Sequence, residues 1–279
     1  MTLPRSIRAA LLAYLWLMLA FLFAPIIVTI VFSFSLDRFA TLPWRGFTLM
    51  WYERLFTNPD MLNALKNSVI VGIAVGAISV VLGFTGAYGL RNWTANRKNV
   101  FMLAMISPLA VPWMLLGLGI LIFLNNIGLS RSLTSVCIGH TVFAAPLAMM
   151  VIDARLSTLS RSPEEAAWDL GADRIRAVWY VVIPQTLPAL ISAFLLTFTL
   201  SFDEFIMAWF LSSFNVTLPV RIWGMMRSGT NPTLNAVGSI VFLVSITLTA
   251  ISQLMVFRKG AQEVAVDKND DRDDLAGVS

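Results

Sequence analysis

Long stretches without a charged side chain constrain this sequence more than anything else in it. Ala9–Phe34, Ser68–Leu90, Val100–Leu124, Leu133–Ile152 and Leu234–Phe257 carry no charge, and Thr186–Phe214 carries only Asp203 and Glu204. Crossing a bilayer as a helix takes about 20 apolar residues, and every run reaches that length. Of the 279 residues only 13% are charged, against about a quarter in a soluble domain, so lipid is the solvent. The runs predict an all-α membrane protein: one domain of six transmembrane helices over 9–257, after a short stretch 1–8 and before a tail 258–279. Arg5 and Arg8 precede the first run as they would in a secretory leader. A leader's apolar core is about 7–15 residues, and this run is far longer, so it reads as a retained span, kinked at Pro25. Gly72 and Gly76, like Gly83 and Ala87, stand four apart, a spacing that lets membrane helices touch. Pro108 and Pro112 break the third run, and the backbone groups they free need neighbouring helices or water.

The connecting segments set the orientation. With the amino terminus in the cytosol, inner segments hold thirteen of the twenty Lys and Arg and outer segments seven. Positive excess marks the cytosolic side, so both termini are expected inside. Topology thus accounts for the net charge of +4, and nothing suggests nucleic acid. The outer segments are Leu36–Asn67, with short helical pieces around Leu49–Phe56 and Asp60–Lys66, and Leu218–Pro232. Trp51 and Tyr52 suit a lipid–water interface. The tail, rich in Asp267, Asp270 and Asp271, is expected to be disordered. A single Cys137 excludes an internal disulfide. His140 lies in an apolar run and is expected to pack rather than relay protons, which needs partners. No Gly-x-x-x-x-Gly-Lys-Ser/Thr loop is present to cradle phosphate, and one His supports neither a Ser/His/Asp set nor a metal cluster. No cofactor is expected in this chain.

Ser162–Pro184 differs from its surroundings: a charged, helix-forming segment between the fourth and fifth runs, within the inner connection 155–185. Ser162 can cap a helix, Pro163 suits the first helical position, and Glu165 three residues on completes a capping box. Gly171 can end that helix in a left-handed turn. Asp173 can cap a second helix, which Pro184 is expected to stop. Ala166 and Ala167 let a helix approach another surface closely. The charge bias puts this segment in the cytosol.

Glu165-Ala166-Ala167, three residues, Gly171, nine residues, then Val181-Val182-Ile183-Pro184 resembles the EAA loop of ABC-importer permeases, with Val181 and Ile183 as apolar departures. The resemblance implies the type I importer permease fold, with this loop as the cytosolic coupling helix. Glu165, Ala166, Ala167 and Gly171 would then meet an ATPase subunit. It also implies the partners: two ATPase subunits binding ATP and Mg, a second, non-identical permease, and an extracytoplasmic binding protein, all at a bacterial inner membrane.

Asp203-Glu204 is the exception to an apolar interior. A carboxylate at the centre of a membrane helix costs about 2.5–3.5 kcal/mol on insertion scales. Adjacent residues point about 100° apart, so one acid can face a passage and the other a neighbouring helix. Thr197, Ser201 and Glu204 share one face. "TFTLSFDEFIMAWF" and "TLPVRIWGMMRSGTNPTLNAV", together with the outer-loop "GFTLMWYERLF", resemble the polyamine (spermidine/putrescine) type of these permeases, from Gly46 to Val237. There the core reads Ser-x-Asp-Asp, and the first acid, here Asp203, lies on the route of a cationic solute. Holding helices together is the competing role for both acids. The polyamine type commonly has an acid after the second proline of the third span, where this chain has Trp113. An indole can hold an ammonium by cation–π contact worth about 0.5–2 kcal/mol, or simply pack. The resemblance therefore implies an ATP-driven importer of an amine-bearing solute: a polyamine first, an opine or aminophosphonate next. A channel or secondary transporter that needs no ATPase is the alternative from another class.

Overall fold

The computed structural model describes residues 4–37, 43–227, 232–247 and 249–251. The tail 258–279 and the end of the sixth run, 252–257, lie outside the described residues. The described chain is helical: α1 (Arg5–Phe32), α2 (Met50–Thr57), α3 (Pro59–Leu90), α4 (Ala95–Ile106), α5 (Trp113–Asn126), α6 (Leu133–Thr158), α7 (Ser162–Asp169), α8 (Arg174–Ala177), α9 (Ile183–Asp203), α10 (Ile206–Leu211) and α11 (Leu218–Arg227), then α12 (Thr233–Ile251). Five helices are long and apolar enough to cross a membrane, or six if α4 and α5 form one broken span. That matches the six-span expectation.

The chain divides into two units. The first holds residues 1–63 and 221–244. In it α1 buries nothing within the fold, as expected of a helix whose neighbours are lipid or another chain. Trp51 turns into the fold. It is buried, its indole Nε1 donates to the Ser35 carbonyl at 2.7 Å, and Tyr52 shares a 2.6 Å hydrogen bond with Ser33. An indole N–H must find a partner when it is buried, and the bend after α1 supplies one. Asp60–Lys66 is not a separate helix. It forms the first turns of α3, because Asn58 caps the helix by accepting from the Asp60 and Met61 N–H groups.

The second unit holds residues 64–220 and those from Ser245 onward. Its centre is α6, the most buried of the spans. One core packs Val71, Val75, Leu124, Phe143, Met207 and Leu211; another packs Ala87, Met149, Ile152, Leu156, Val182 and Ala193. α3 approaches both α9 and α6 closely. A Cβ at Gly76 would sit 2.9 Å from the Phe194 ring, and one at Gly83 would sit 2.7 Å from the Met149 backbone nitrogen. The small-residue spacing seen in the sequence is thus a contact surface. α4 and α5 meet at 98°. A 3₁₀ turn, Ser107–Ala110, and an extended Val111 make the corner, since the residue before Pro112 is pushed out of helical conformation.

Pro184 does not stop the chain. α8 passes through a π-helical turn, Val178–Val182, straight into α9, with Pro184 in its first turn. The first turn of a helix needs no N–H from proline, and the widened turn just before it makes room for the ring. The fifth run also differs from one continuous span: α9 ends at Asp203 and α10 begins at Ile206.

Candidate functional site

The elbow between α6 and α9 is built from local rules at one end and long-range contacts at the other. Gly171 has φ +87°. Its N–H donates to the Trp168 carbonyl at 2.9 Å, and that of Ala172 donates to Ala167 at 2.9 Å. This is the Schellman closure that a glycine one residue past the cap allows. Asp173 caps α8 by accepting from the Arg176 N–H at 2.7 Å. Ser162, however, is the first helical residue rather than the cap, and no capping box forms. Its own N–H donates to Ser160 Oγ at 3.2 Å.

Tertiary contacts set that register. Glu164 is the buried acid of α7. Its carboxylate takes Arg91 Nη1 at 2.9 Å and the Tyr88 hydroxyl at 2.5 Å, both from the end of α3. Arg91 Nη2 also reaches the Leu159 carbonyl, and Arg161 binds Asn92 Oδ1 at 2.9 Å and the Arg91 carbonyl. Nearby, Lys98 Nζ lies 2.7 Å from Asp153 Oδ1. With Glu164 turned inward, Glu165, Ala166 and Gly171 face outward and Ala167 is half-buried. Leu170, 89% exposed, and Ile175, 71% exposed, stand beside them. The elbow thus presents an apolar, small-residue face on a rigidly fastened helix. The sequence pointed to Glu165 and missed Glu164. No local signal separates two adjacent glutamates, since only the position of Arg91 in space does so.

The two acids at the end of α9 part company. Asp203 is exposed, and the Ser245 hydroxyl donates to its carboxylate at 2.8 and 3.0 Å. Glu204 turns inward, with 1% of its side chain exposed. Its oxygens accept from the Met207 and Ala208 N–H groups, each at 3.1 Å, capping α10. His140, fully buried on α6, places Nε2 3.2 Å from Glu204 Oε2, while its Nδ1 shares a 2.8 Å hydrogen bond with Ser201. His140 therefore has the partners that the sequence did not reveal, 61 and 64 positions away. Trp113 opens α5 and packs against Phe143, ring centroids 4.9 Å apart and planes tilted by 32°, and the Phe143 and His140 ring centroids lie 5.7 Å apart. Trp113, Ser201 and Glu204 thus meet through two residues of α6. Thr197 is buried, its hydroxyl donating to the Ala193 carbonyl of its own helix at 2.7 Å.

A serine, a histidine and a carboxylate in mutual reach are the parts of a hydrolytic triad. Here all three are buried, and Ser201 has 2% of its surface exposed, so no substrate bond reaches the hydroxyl. A cavity of 650 Å³ lies apart from them, lined by Leu82, Thr85, Phe101, Met105, Thr141 and Met149 among others. The Thr85 and Thr141 hydroxyls donate to carbonyls of their own helices, which leaves the cavity walls apolar and unsuited to a cation. Among the described residues no group of His, Cys, Asp and Glu could hold a metal.

Comparison with known proteins agrees with this architecture. A family model described as "Binding-protein-dependent transport system inner membrane component" matches residues 72–260. The chain is 30% identical over 244 residues to the spermidine/putrescine transport system permease protein PotC of Haemophilus influenzae, covering 87% of this chain and 95% of that one. It is 31% identical to the putrescine transport system permease protein PotI of Escherichia coli, over 79% and 81% of the two chains. A chain from the crystal structure of a bacterial ABC transporter involved in the import of alginate superposes with TM-score 0.63 at 20% identity, over 92% of this chain and 99% of that one. A chain of the inward-facing MetNI methionine ABC transporter gives TM-score 0.52 at 21% identity, over 72% and 97%.

Proposed function

Because the chain belongs to the family of binding-protein-dependent transport system inner membrane components, we propose that it is the permease subunit of an ATP-driven importer of a polyamine, spermidine or putrescine. The observation that carries the coupling half of this reading is the elbow. Glu165, Ala166 and Gly171 face outward with Ala167 half-buried beside them, while Glu164 fastens the same helix to the end of α3. A helix held in this way passes on a push instead of absorbing it. Two ATPase subunits would bind ATP and Mg and supply the stroke. A second, non-identical permease would complete the path, and a binding protein would deliver solute from outside. Lys98, Arg91, Arg155 and Arg161 gather near the elbow, which supports placing it and both termini in the cytosol of a bacterial inner membrane.

The solute half rests on the relatives named above and on Asp203, an exposed acid in an apolar helix. A carboxylate at membrane depth marks a pathway or a partner by default, and an ammonium group is its natural counter-ion. Trp113, 37% exposed, adds an indole face at the α4–α5 corner. The path is assigned to Asp203 and Trp113; Thr197, Ser201 and Glu204, turned inward, are assigned to holding helices. Alternating access then follows as rocking of packed helices around a fixed site. The test is ATP turnover by the complete complex in vesicles with its binding protein. Spermidine or putrescine should stimulate turnover, and Asp203→Asn should lose that stimulation while keeping basal turnover. Stimulation by neither amine would overturn the solute assignment. Failure of any ATPase subunit to co-purify would overturn the class.

A further inference from the structure

The break between α9 and α10 has no helix breaker in its own sequence. Residues 199–209 read Thr-Leu-Ser-Phe-Asp-Glu-Phe-Ile-Met-Ala-Trp, with neither glycine nor proline. Even so, Glu204 is extended, with φ −72° and ψ 123°. Sharp interruptions of a helix ordinarily come from proline, glycine, or an inserted side chain or water. Lipid makes an uncaused break still less tolerable, since every freed N–H and C=O must find another partner. The partners here are partly local and partly tertiary. The Glu204 carboxylate takes two N–H groups of α10, and His140 of α6 sits against that carboxylate at 3.2 Å while holding Ser201 of α9 by its other nitrogen. One imidazole therefore touches both sides of the break. Beyond it, α10 packs Met207, Ala208 and Leu211 into the core formed with α5 and α6.

We infer that the Glu204–His140–Ser201 contact is a latch that imposes this break, and that its consequence for transport is the aim of Asp203. With the latch closed, Asp203 is the last residue of α9 and is exposed, while its neighbour is buried. Were the helix continuous, the backbone would turn through residues 203–206 at helical pitch, and Asp203 would lie one turn below a helix instead of at an open end. His140 and Glu204 are then positioning residues: they act on the solute path through Asp203 and never meet the solute. This rests on the reading of Asp203 as part of the path.

The experiment uses the assembled importer carrying Cys137→Ala and Asp203→Cys, labelled with a membrane-impermeant maleimide in permeabilised vesicles, where both membrane faces are reached. With His140 and Glu204 present, position 203 should label readily. Replacing both by apolar residues, His140→Phe with Glu204→Leu, removes the latch without leaving half of it buried alone, so the chain is expected to assemble. Labelling should then fall by about tenfold or more, because each hydrogen bond to a charged group is worth at least a tenfold step in an equilibrium. Glu204→Gln, which keeps one oxygen for the α10 N–H groups, should fall between. Should the double variant not co-purify with the ATPase, Glu204→Gln decides alone by the same criterion. Equal labelling with and without the latch overturns the inference and leaves the path reading intact. No labelling at position 203 with the latch present overturns the path reading, and the inference with it.

Discussion

Two short helices of this permease are pinned in the same way and at different depths of burial. α7 is held by Glu164, in its first turn, to Arg91 and Tyr88 of α3; α10 is held by Glu204, just before its first turn, to His140 of α6. In each case a carboxylate sits at a helix start, where N–H groups and the helix dipole favour negative charge. At α7 the partner is an arginine at the rim of the protein, with 11% of its side chain exposed. At α10 the partner is an imidazole with none. A rim pair can exchange its partner for water when it is broken, whereas a fully buried pair cannot. The same device therefore works as a tether at the elbow and as a determinant of backbone path at the break between α9 and α10.

The largest expected effect comes from breaking the deep pair on one side only. Glu204→Leu leaves two N–H groups without their acceptor and strips the buried His140 ring of the carboxylate beside it, and such a loss costs about 3–5 kcal/mol in a buried setting. Thermal unfolding of the purified complex should drop sharply, and His140→Phe added to the same chain should recover most of the loss. Glu164→Ala should cost less, roughly 1–3 kcal/mol, because water can reach Arg91. If the two single losses prove equal, the contrast between rim and depth is wrong. Exchanging the pair, Arg91→Glu with Glu164→Arg, should restore part of the stability and of the solute-stimulated ATP turnover lost in either single change; no recovery would mean that the tether plays no part in coupling.

Gly171 comes next. A β-branched residue at φ +87° carries a penalty of about 1–2 kcal/mol, confined to a turn that holds no core. Gly171→Val should therefore leave the complex assembled, hydrolysing ATP but importing poorly. Gly171→Asn, which tolerates the left-handed region better, should be milder. Normal uptake in vesicles with Gly171→Val would remove the elbow from the coupling route. The smallest effect belongs to Thr197→Val. Its hydroxyl bonds only to its own helix, and polar contacts inside membrane bundles average about 0.6 kcal/mol. A large loss of uptake there would place Thr197 on the path after all.

Features that depend on near neighbours in the chain were legible without the structure. Six apolar runs, the Gly171 turn, the Asp173 cap, the small-residue spacing on α3 and the proline corner between α4 and α5 follow from residue type and spacing. Each is a rule about a few consecutive or helically adjacent positions. Where such rules competed with distant contacts they failed. Ser162 yields the cap because Arg161 and Glu164 are drawn to the end of α3. Trp51 turns inward because the Ser35 carbonyl waits for its indole. Pro184 is absorbed by a wider turn because the helix it would stop continues into the core.

The amino acids alone settled the solvent, the number of spans and the position of the elbow, because burial in lipid and turn geometry are properties of composition and local conformation. Only the folded chain decided which of two neighbouring glutamates faces inward, at 164–165 and again at 203–204, and only it gave His140 its partners. An acid in a low-dielectric interior goes where a partner is held for it, and the partners that tell these neighbours apart, Arg91 and Tyr88 for Glu164 and His140 for Glu204, come from dozens of residues away.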